Sequence, residues 1–317
     1  MTELILHHFP ASPFSEKVRL VLGYKGLAWK SVTVPAIMPK PDVVALTGGY
    51  RKTPFLQIGA DMYCDTALIC DVLEQLKPTP TLYPEFAQPL ARILSQWADG
   101  TLFWAAVTYN RGAKGAGDKF GGTLPDLPAD IFKDRKAMGF DVEWRQPADA
   151  APAYQSYVGQ LSDLLQHQPY LLGQQPCIAD FSAYHPLWLV HVRSPPAVDI
   201  LQRHPAVQDW VHRMQAIRHA SWEKFEASQA IGVAANVDPL PIGRGPLPDH
   251  VFQDEHGIEL KSQVTITAES FGLEPTTGEL VAATRTHYTL RRSDSRVGTV
   301  HVHFPRIGYV LKRLERQ

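Results

Sequence analysis

Two short segments carry residue types that can hold an anion. Ser12-Pro13-Phe14-Ser15 opens an apolar-periodic run, so Ser12 stands at a helix N-terminus. There, unpaired backbone N–H groups and the helix dipole favour negative charge. Asp65-Thr66 opens a second such run and puts a carboxylate and a hydroxyl at its head. Both segments also read as ordinary caps, a role that suits Ser, Asp and Thr. Thirteen histidines raise a metal reading. His301 and His303 share a strand face and His287 can lie across from them, a three-nitrogen set. No acidic or cysteine partner has ligand spacing around them, and histidines are common on exposed strand faces, so no metal is expected. Cys64, Cys70 and Cys177 are an odd number, which argues against a disulfide framework, and small core roles suit them better. Gly112-x-x-Gly115-x-Gly117-x-Lys119 lacks the Gly-Lys-Ser/Thr of a phosphate-binding loop.

These residues need elements to position them. Leu4-Ile5-Leu6 reads as a short strand. Ser12 to Gly26 is a helix with both ends marked, by Pro13 at the first helical position and Gly26 past the last. Ala28 to Val34 is a second strand. Thr53 to Ile58 and Met62 to Cys64 form a hairpin around Gly59-Ala60-Asp61. The helix opened by Asp65 then runs with Leu68, Ile69, Val72, Leu73 and Leu76 on one face. The first 76 residues therefore read β-α-β, an irregular stretch, then β-β-α. A proline-rich linker covers 77–86. Helical periodicity returns at Ala87 to about Ala106, then at 129–138, 150–167, 178–193 and 205–229. Residues 111–128 are rich in Gly and Pro, a candidate lid. Residues 236–249 form a second linker. The period then changes to two, over Gln263 to Phe271, Leu280 to Leu290, Thr299 to Phe304 and Gly308 to Leu314. Turn signals stand at Pro275-Thr276-Thr277-Gly278 and Pro305-Arg306-Ile307-Gly308. This gives a helical domain at 87–235 and a small antiparallel β module at 250–317.

Composition bounds the function. A chain of 317 residues allows about two domains, or three if one is small. Hydrophobic residues at 44% and charged residues at 20% support a packed core. A net charge of -1 removes the electrostatic argument for a nucleic-acid partner. The N-terminus, with an early acid and a short apolar run, lacks the pattern of a signal peptide, and no window suits a membrane span. A reducing, cytoplasmic setting is the expectation. The 22 glycines and 26 prolines gather in part at 77–84, 111–128 and 236–249, two boundaries and one candidate lid.

Over roughly residues 3–230 the chain resembles the glutathione transferases. Four features carry the likeness. Ser12-Pro13-Phe14-Ser15, followed by Lys17-Val18-Arg19-Leu20 and Lys25-Gly26-Leu27, is similar to the first helix of the serine-type tau class, and of the omega class with Ser for Cys. Thr53-Pro54-Phe55-Leu56 looks like the family's cis-proline loop. Asp65-Thr66 resembles the acidic-plus-serine pair that holds the γ-glutamyl end of glutathione. Leu171-Leu172-Gly173 through Pro176-Cys177-Ile178-Ala179-Asp180-Phe181 is similar to the buried capping motif of the helical domain, and Leu82-Tyr83-Pro84 to its entry. The resemblance implies an N-terminal thioredoxin-like domain, an all-helical C-terminal domain, and a β extension outside the family pattern.

The resemblance also implies roles. Glutathione would be the co-substrate and a small hydrophobic electrophile the second substrate, in a protein that is a homodimer, without nucleic-acid or membrane partners. Ser12 would donate a hydrogen bond to the glutathione sulfur and stabilise the thiolate, the nucleophilic form. Phe14, Lys40, Lys52, Thr53, Pro54, Asp65 and Thr66 would hold the tripeptide, with the Thr53 backbone on its cysteinyl part and the lysines near its glycyl carboxylate. Arg51 rivals Lys52, and a solvated Lys40 is as good a reading. Phe103, Trp104, Val107 and Tyr109 would line the electrophile pocket or form a helical core stripe. Both positions of the fold's Cys-x-x-Cys motif are serine, Ser12 and Ser15, so thiol–disulfide exchange there is not expected. Two departures stand out: Cys177 where the capping motif usually has Ser or Thr, and Asp-Thr in place of Glu-Ser. Two alternatives remain open: a non-catalytic binding or scaffold protein, and a glutathione-dependent isomerase or dehalogenase.

Overall fold

A computed structural model describes residues 3–112, 129–139, 147–193, 200–247, 249–253 and 255–314. The first strand, β1 (Ile5–His8), leads into helix α1 (Pro13–Lys25). Ser12 caps α1 by accepting from the Ser15 N–H at 3.2 Å, and Gly26 ends it in the left-handed conformation, φ 58°. Strand β2 (Trp29–Thr33) lies parallel to β1. The irregular stretch contains a short helix, α2 (Pro41–Thr47). The expected hairpin is β3 (Phe55–Ile58) and β4 (Asp61–Cys64), with β3 antiparallel to β1. Helix α3 (Thr66–Leu76) completes the thioredoxin-like unit.

Glycine makes one close approach possible. A Cβ on Gly23, inside α1, would lie 1.9 Å from the Arg218 carbonyl oxygen. Alanine normally gains about 1 kcal/mol over glycine inside a helix. Here backbone meets backbone, so Gly23→Ala is expected to lose about 3 kcal/mol instead, read as a fall in the urea midpoint.

The helical half begins with α4 (Gln88–Trp97). The expected single helix to Ala106 is interrupted by a π-helical turn, Ala98–Leu102, before α5 (Phe103–Gly112). Helices follow at Ala129–Ala137, Pro147–Leu165, Ile178–Leu187 and Pro205–Ala216. The 178–193 periodicity changes to a π-helical turn at Trp188–Arg193. Phe181, Tyr184, Tyr154 and Trp210 are fully buried in this half, in one cluster with Leu6, Val18 and Leu22 of the first unit. The 111–128 candidate lid lies, apart from the end of α5, outside the described residues.

Two expected elements are corrected. The 205–229 helix stops at Ala216, because Arg218 and Ala220 take left-handed conformations, φ 59° and 56°. Trp222–Lys224 then forms β5, parallel to β2, and Ala227–Ala235 is a separate helix. The strand read over Leu280 to Leu290 is two, β7 (Thr276–Ala283) and β8 (His287–Asp294), with the reversal at Thr284–Thr286. Thr276 to Gly278, read as a turn, lie within β7 and pair with β6 (Gln263–Ala268).

The remaining strands are β9 (Gly298–Pro305) and β10 (Tyr309–Arg313). Pairing among β6 to β10 is antiparallel, as expected. However, they do not form a sheet of their own. Strand β9 pairs in parallel with β4, giving one ten-stranded sheet ordered β10-β6-β7-β8-β9-β4-β3-β1-β2-β5. Phe55, Met62, Leu46 and Tyr50 share a core with Val264, Leu290, Val302 and Phe304. Burial against the first unit fixes which face of β6–β10 is apolar.

Candidate functional site

The strand directions bring three loops to one end of the sheet. Strand β1 runs toward Ser12. The antiparallel β3 starts just after Pro54, and β4, antiparallel again, runs into Asp65. The Thr53–Pro54 peptide is cis. Ser12, Thr53 and Asp65 are all half-buried.

Asp65 is held from several sides. Its backbone has φ 78°, a conformation that costs a non-glycine residue about 1–3 kcal/mol and persists only when neighbours impose it. One carboxylate oxygen accepts from the Ala67 N–H at 3.0 Å and caps α3. The Asp65 N–H donates to the Tyr50 hydroxyl at 3.0 Å, and the Tyr309 hydroxyl donates to the other carboxylate oxygen at 3.1 Å. Thr66 is buried, and its hydroxyl accepts from Lys17 Nζ at 3.2 Å. Lys17 is fully buried and pairs with Asp99 of the π-helical turn at 2.6 Å; Asp99 also meets His185 Nε2 at 2.9 Å. Burial opposes a charged lysine here, but the Asp99 carboxylate outweighs it and raises the Lys17 pKa. The π-helical turn therefore serves to aim Asp99 at the head of the first unit.

The lysines sit deeper than expected. Lys40 is buried and donates to the Arg51 carbonyl at 3.2 Å, and burial pulls its pKa down to about 8. Lys52 lies over the rings of Tyr50 and Tyr309, 5.4 and 4.9 Å from their centroids, and burial lowers it too. Arg51 is buried and pairs with Asp134 at 2.7 Å and Glu274 at 2.5 Å.

Aromatic contacts join the two halves. Phe14 packs on Phe103 at 4.7 Å and on His185 at 4.5 Å. Trp104 meets Phe271 edge-on at 5.7 Å. Phe103 thus stands beside Phe14, two residues after Ser12, and Trp104 packs edge-on against Phe103 at 5.0 Å. Tyr109 stacks instead on Tyr154 in the helical core at 4.7 Å, and Val107 is half-buried. All three cysteines are buried and free; burial pushes Cys70 and Cys177 up to about 12 and Cys64 well above the ordinary thiol range. They are unsuited to thiolate chemistry.

Sequence reasoning missed Lys17 as a site residue, and with it Tyr50, Asp99, His185, Asp134, Glu274 and Tyr309. Lys17 was visible within the helix motif but read only as part of the pattern. Tyr309 and Asp65 are 244 positions apart, and no local signal links them.

A thioredoxin-like unit packed against an all-helical unit defines the class of fold. The glutathione S-transferase N-terminal domain model matches residues 6–81, and the glutathione S-transferase C-terminal domain model matches 139–213. A glutathione-S-transferase-like protein from Pseudomonas syringae is 39% identical, with a TM-score of 0.79, covering 99% of this chain and 100% of that one. A glutathione S-transferase from Methylobacterium radiotolerans, solved in complex with glutathione sulfonate, is 21% identical, with a TM-score of 0.50, over 71% of this chain and 97% of its own. FtsZ-localized protein A of Caulobacter vibrioides is 26% identical over 196 residues, 57% of this chain and 74% of its own. The chain belongs to the glutathione S-transferase family. Among the described residues no helix is long and apolar enough to cross a membrane.

Proposed function

We propose that this protein binds glutathione across the end of the sheet and stabilises its thiolate with Ser12, as a serine-type transferase acting on a small hydrophobic electrophile. The observation that carries this reading is the convergence of Ser12, the Thr53–cis-Pro54 peptide and Asp65-Thr66 on one sheet end. The N-terminus of α3 offers N–H groups and dipole to the γ-glutamyl carboxylate, and Asp65 offers a carboxylate to the adjacent amino group. A residue before proline favours extended backbone, which suits Thr53 to pairing with the cysteinyl residue. Lys40 and Lys52 supply positive charge for the glycyl carboxylate. The sulfur then lies at the head of α1, where the Ser12 hydroxyl and the helix dipole both favour the thiolate. The thiol proton leaves to solvent, a carbon–sulfur bond forms, and the electrophile's leaving group departs. Phe103 and Trp104 form the apolar side, and a homodimer in the cytoplasm is the expected state.

Ser12→Ala removes the hydroxyl that this reading assigns to the sulfur. Conjugation of an aromatic halide is expected to fall by about 100-fold, with glutathione binding by calorimetry unchanged. Full turnover in the variant sinks the mechanism. A second reading, a glutathione-transferase fold kept for binding another protein, draws on a specific observation: Tyr309 already donates to Asp65 and Lys40 is spent on a backbone carbonyl. The name of the Caulobacter relative, FtsZ-localized, fits that reading. Absence of heat with millimolar glutathione would select it.

A further inference from the structure

The junction between the first unit and the C-terminal strands holds a buried set of metal-ligating groups remote in sequence from one another. Asp61 starts β4 and lies beside His301 in the parallel β4–β9 register. His303, two residues on, shares its face. Candidate ligand atoms of Asp61, His301 and His303 all lie within 4.8 Å of one another, and all three residues are buried. His287, the third member of the set read from sequence, turns to the Thr284 hydroxyl at 3.0 Å instead.

His301 is the telling residue. Its side chain is 4% exposed, yet among the described residues neither ring nitrogen has a hydrogen-bond partner. Nδ1 points at Asp61 Oδ1 from 3.7 Å, too far for a hydrogen bond. Burying an imidazole with two unpaired nitrogens costs several kcal/mol unless something else meets them. The remaining groups are well placed. His303 Nε2 is 2.9 Å from Asp61 Oδ1, and its Nδ1 is 2.9 Å from the Thr289 hydroxyl. The other Asp61 oxygen accepts from the Leu240 N–H at 2.9 Å, which fixes the carboxylate plane. Tyr63 stacks on the His303 ring at 4.6 Å. Arg291, opposite His301 on β8, is committed to Glu279 at 3.2 Å.

We propose that Asp61, His301 and His303 bind a zinc ion that clamps β9 to β4. Two nitrogens and one carboxylate oxygen are a zinc donor set, and hard cations such as Mg2+ and Ca2+ prefer oxygen alone. Tetrahedral donors at about 2.1 Å from one ion stand about 3.4 Å apart, so the set closes with shifts of about 1–1.5 Å. Thr289 is suited to its place. A threonine hydroxyl can donate or accept. On zinc binding, the neutral His303 ring switches tautomer: its one proton passes from Nε2 to Nδ1, so Nε2 faces the metal while Nδ1–H donates to Thr289. Such a partner behind a histidine ligand fixes its tautomer and orientation.

The test uses the untagged full chain, stripped with a chelator and dialysed against Zn2+. The parent is expected to retain one equivalent by elemental analysis, and Co2+ to give visible absorption bands. His301→Leu fills the same space without nitrogen donors. It is expected to lose the equivalent while its melting temperature in chelator matches that of the parent. Thr289→Val is expected to weaken zinc binding by about 10–100-fold. No zinc retained by the parent, zinc retained by His301→Leu, or unchanged affinity in Thr289→Val overturns the proposal. The Thr289 variant decides if His301→Leu does not fold.

Discussion

Asp180→Ala is expected to lower the unfolding free energy by about 4 kcal/mol, one of the largest single-residue effects in the chain. Asp180 is fully buried at the start of the helix Ile178–Leu187. Four donors converge on its two oxygens. Leu171 N–H and Trp210 Nε1–H reach Oδ1, both at 2.9 Å. Cys177 N–H reaches Oδ2 at 3.0 Å and the Cys177 thiol at 3.4 Å. Alanine strands three N–H donors in the interior, at about 1–3 kcal/mol each. Asparagine is no rescue, because it offers one acceptor oxygen and turns its NH2 toward donors on the other side. Cys177 in place of a hydroxyl cap therefore matters little, since the aspartate carries the cap. Urea denaturation of both variants checks this; an asparagine variant within about 1 kcal/mol of the parent would contradict it.

Acid should unfold the protein through two adjacent histidines. His7 is stacked on Phe55 at 4.2 Å, and its Nε2 lies 2.8 Å from Gln57 Oε1. Gln57 donates its amide protons to Gly59 and Ala230 carbonyls, so its oxygen must accept and His7 Nε2 must carry the proton. His8 Nδ1 faces the Arg19 guanidinium at 3.0 Å, and its Nε2 meets the Ser31 hydroxyl at 2.8 Å. A second proton on His8 would point at a cation. Burial lowers His7 to about 4, and burial with Arg19 lowers His8 to about 3, from 6.5.

The unfolded chain therefore binds more protons between these values. The stability of the neutral forms is fully present above about pH 6.5 and falls as pH drops toward 4 for His7 and 3 for His8. Each histidine contributes about 1.4 kcal/mol per pH unit within its window. Together they should remove several kcal/mol by pH 5. Urea midpoints from pH 7 to 4.5 measure the slope, and His7→Gln should reduce it by one proton. An unaltered slope in that variant would rule His7 out.

The legible parts of this protein were those coded by neighbours in sequence. Helix α1 was readable because Ser12, Pro13 and Gly26 each act on their own backbone. The grouping of Ser12, Thr53 and Asp65 was legible only through the family resemblance, because the strands could be read from the sequence but not their order. Strand β5 was not readable. Its helix-like sequence is overruled at Arg218 and Ala220, where the chain turns to put the His219 carbonyl on the Trp29 indole at 2.8 Å. Nor was the β4–β9 junction, because Asp61 and His301, 240 positions apart, look unremarkable until the fold sets them side by side. The same distance hid Tyr309 and Glu274 from the site and left the three histidines looking like surface residues.

That junction also sets a schedule. Strand β4 lies inside the finished sheet, but its partner is made 240 residues later. At about 5–20 residues per second, the free edge of β4 stays open for roughly 12–48 s during synthesis. An unpaired strand edge is a template for the wrong chain. For that interval the nascent protein presents Met62 and Tyr63 on an open border, so pairing with a neighbouring chain is the hazard that this order of synthesis builds in.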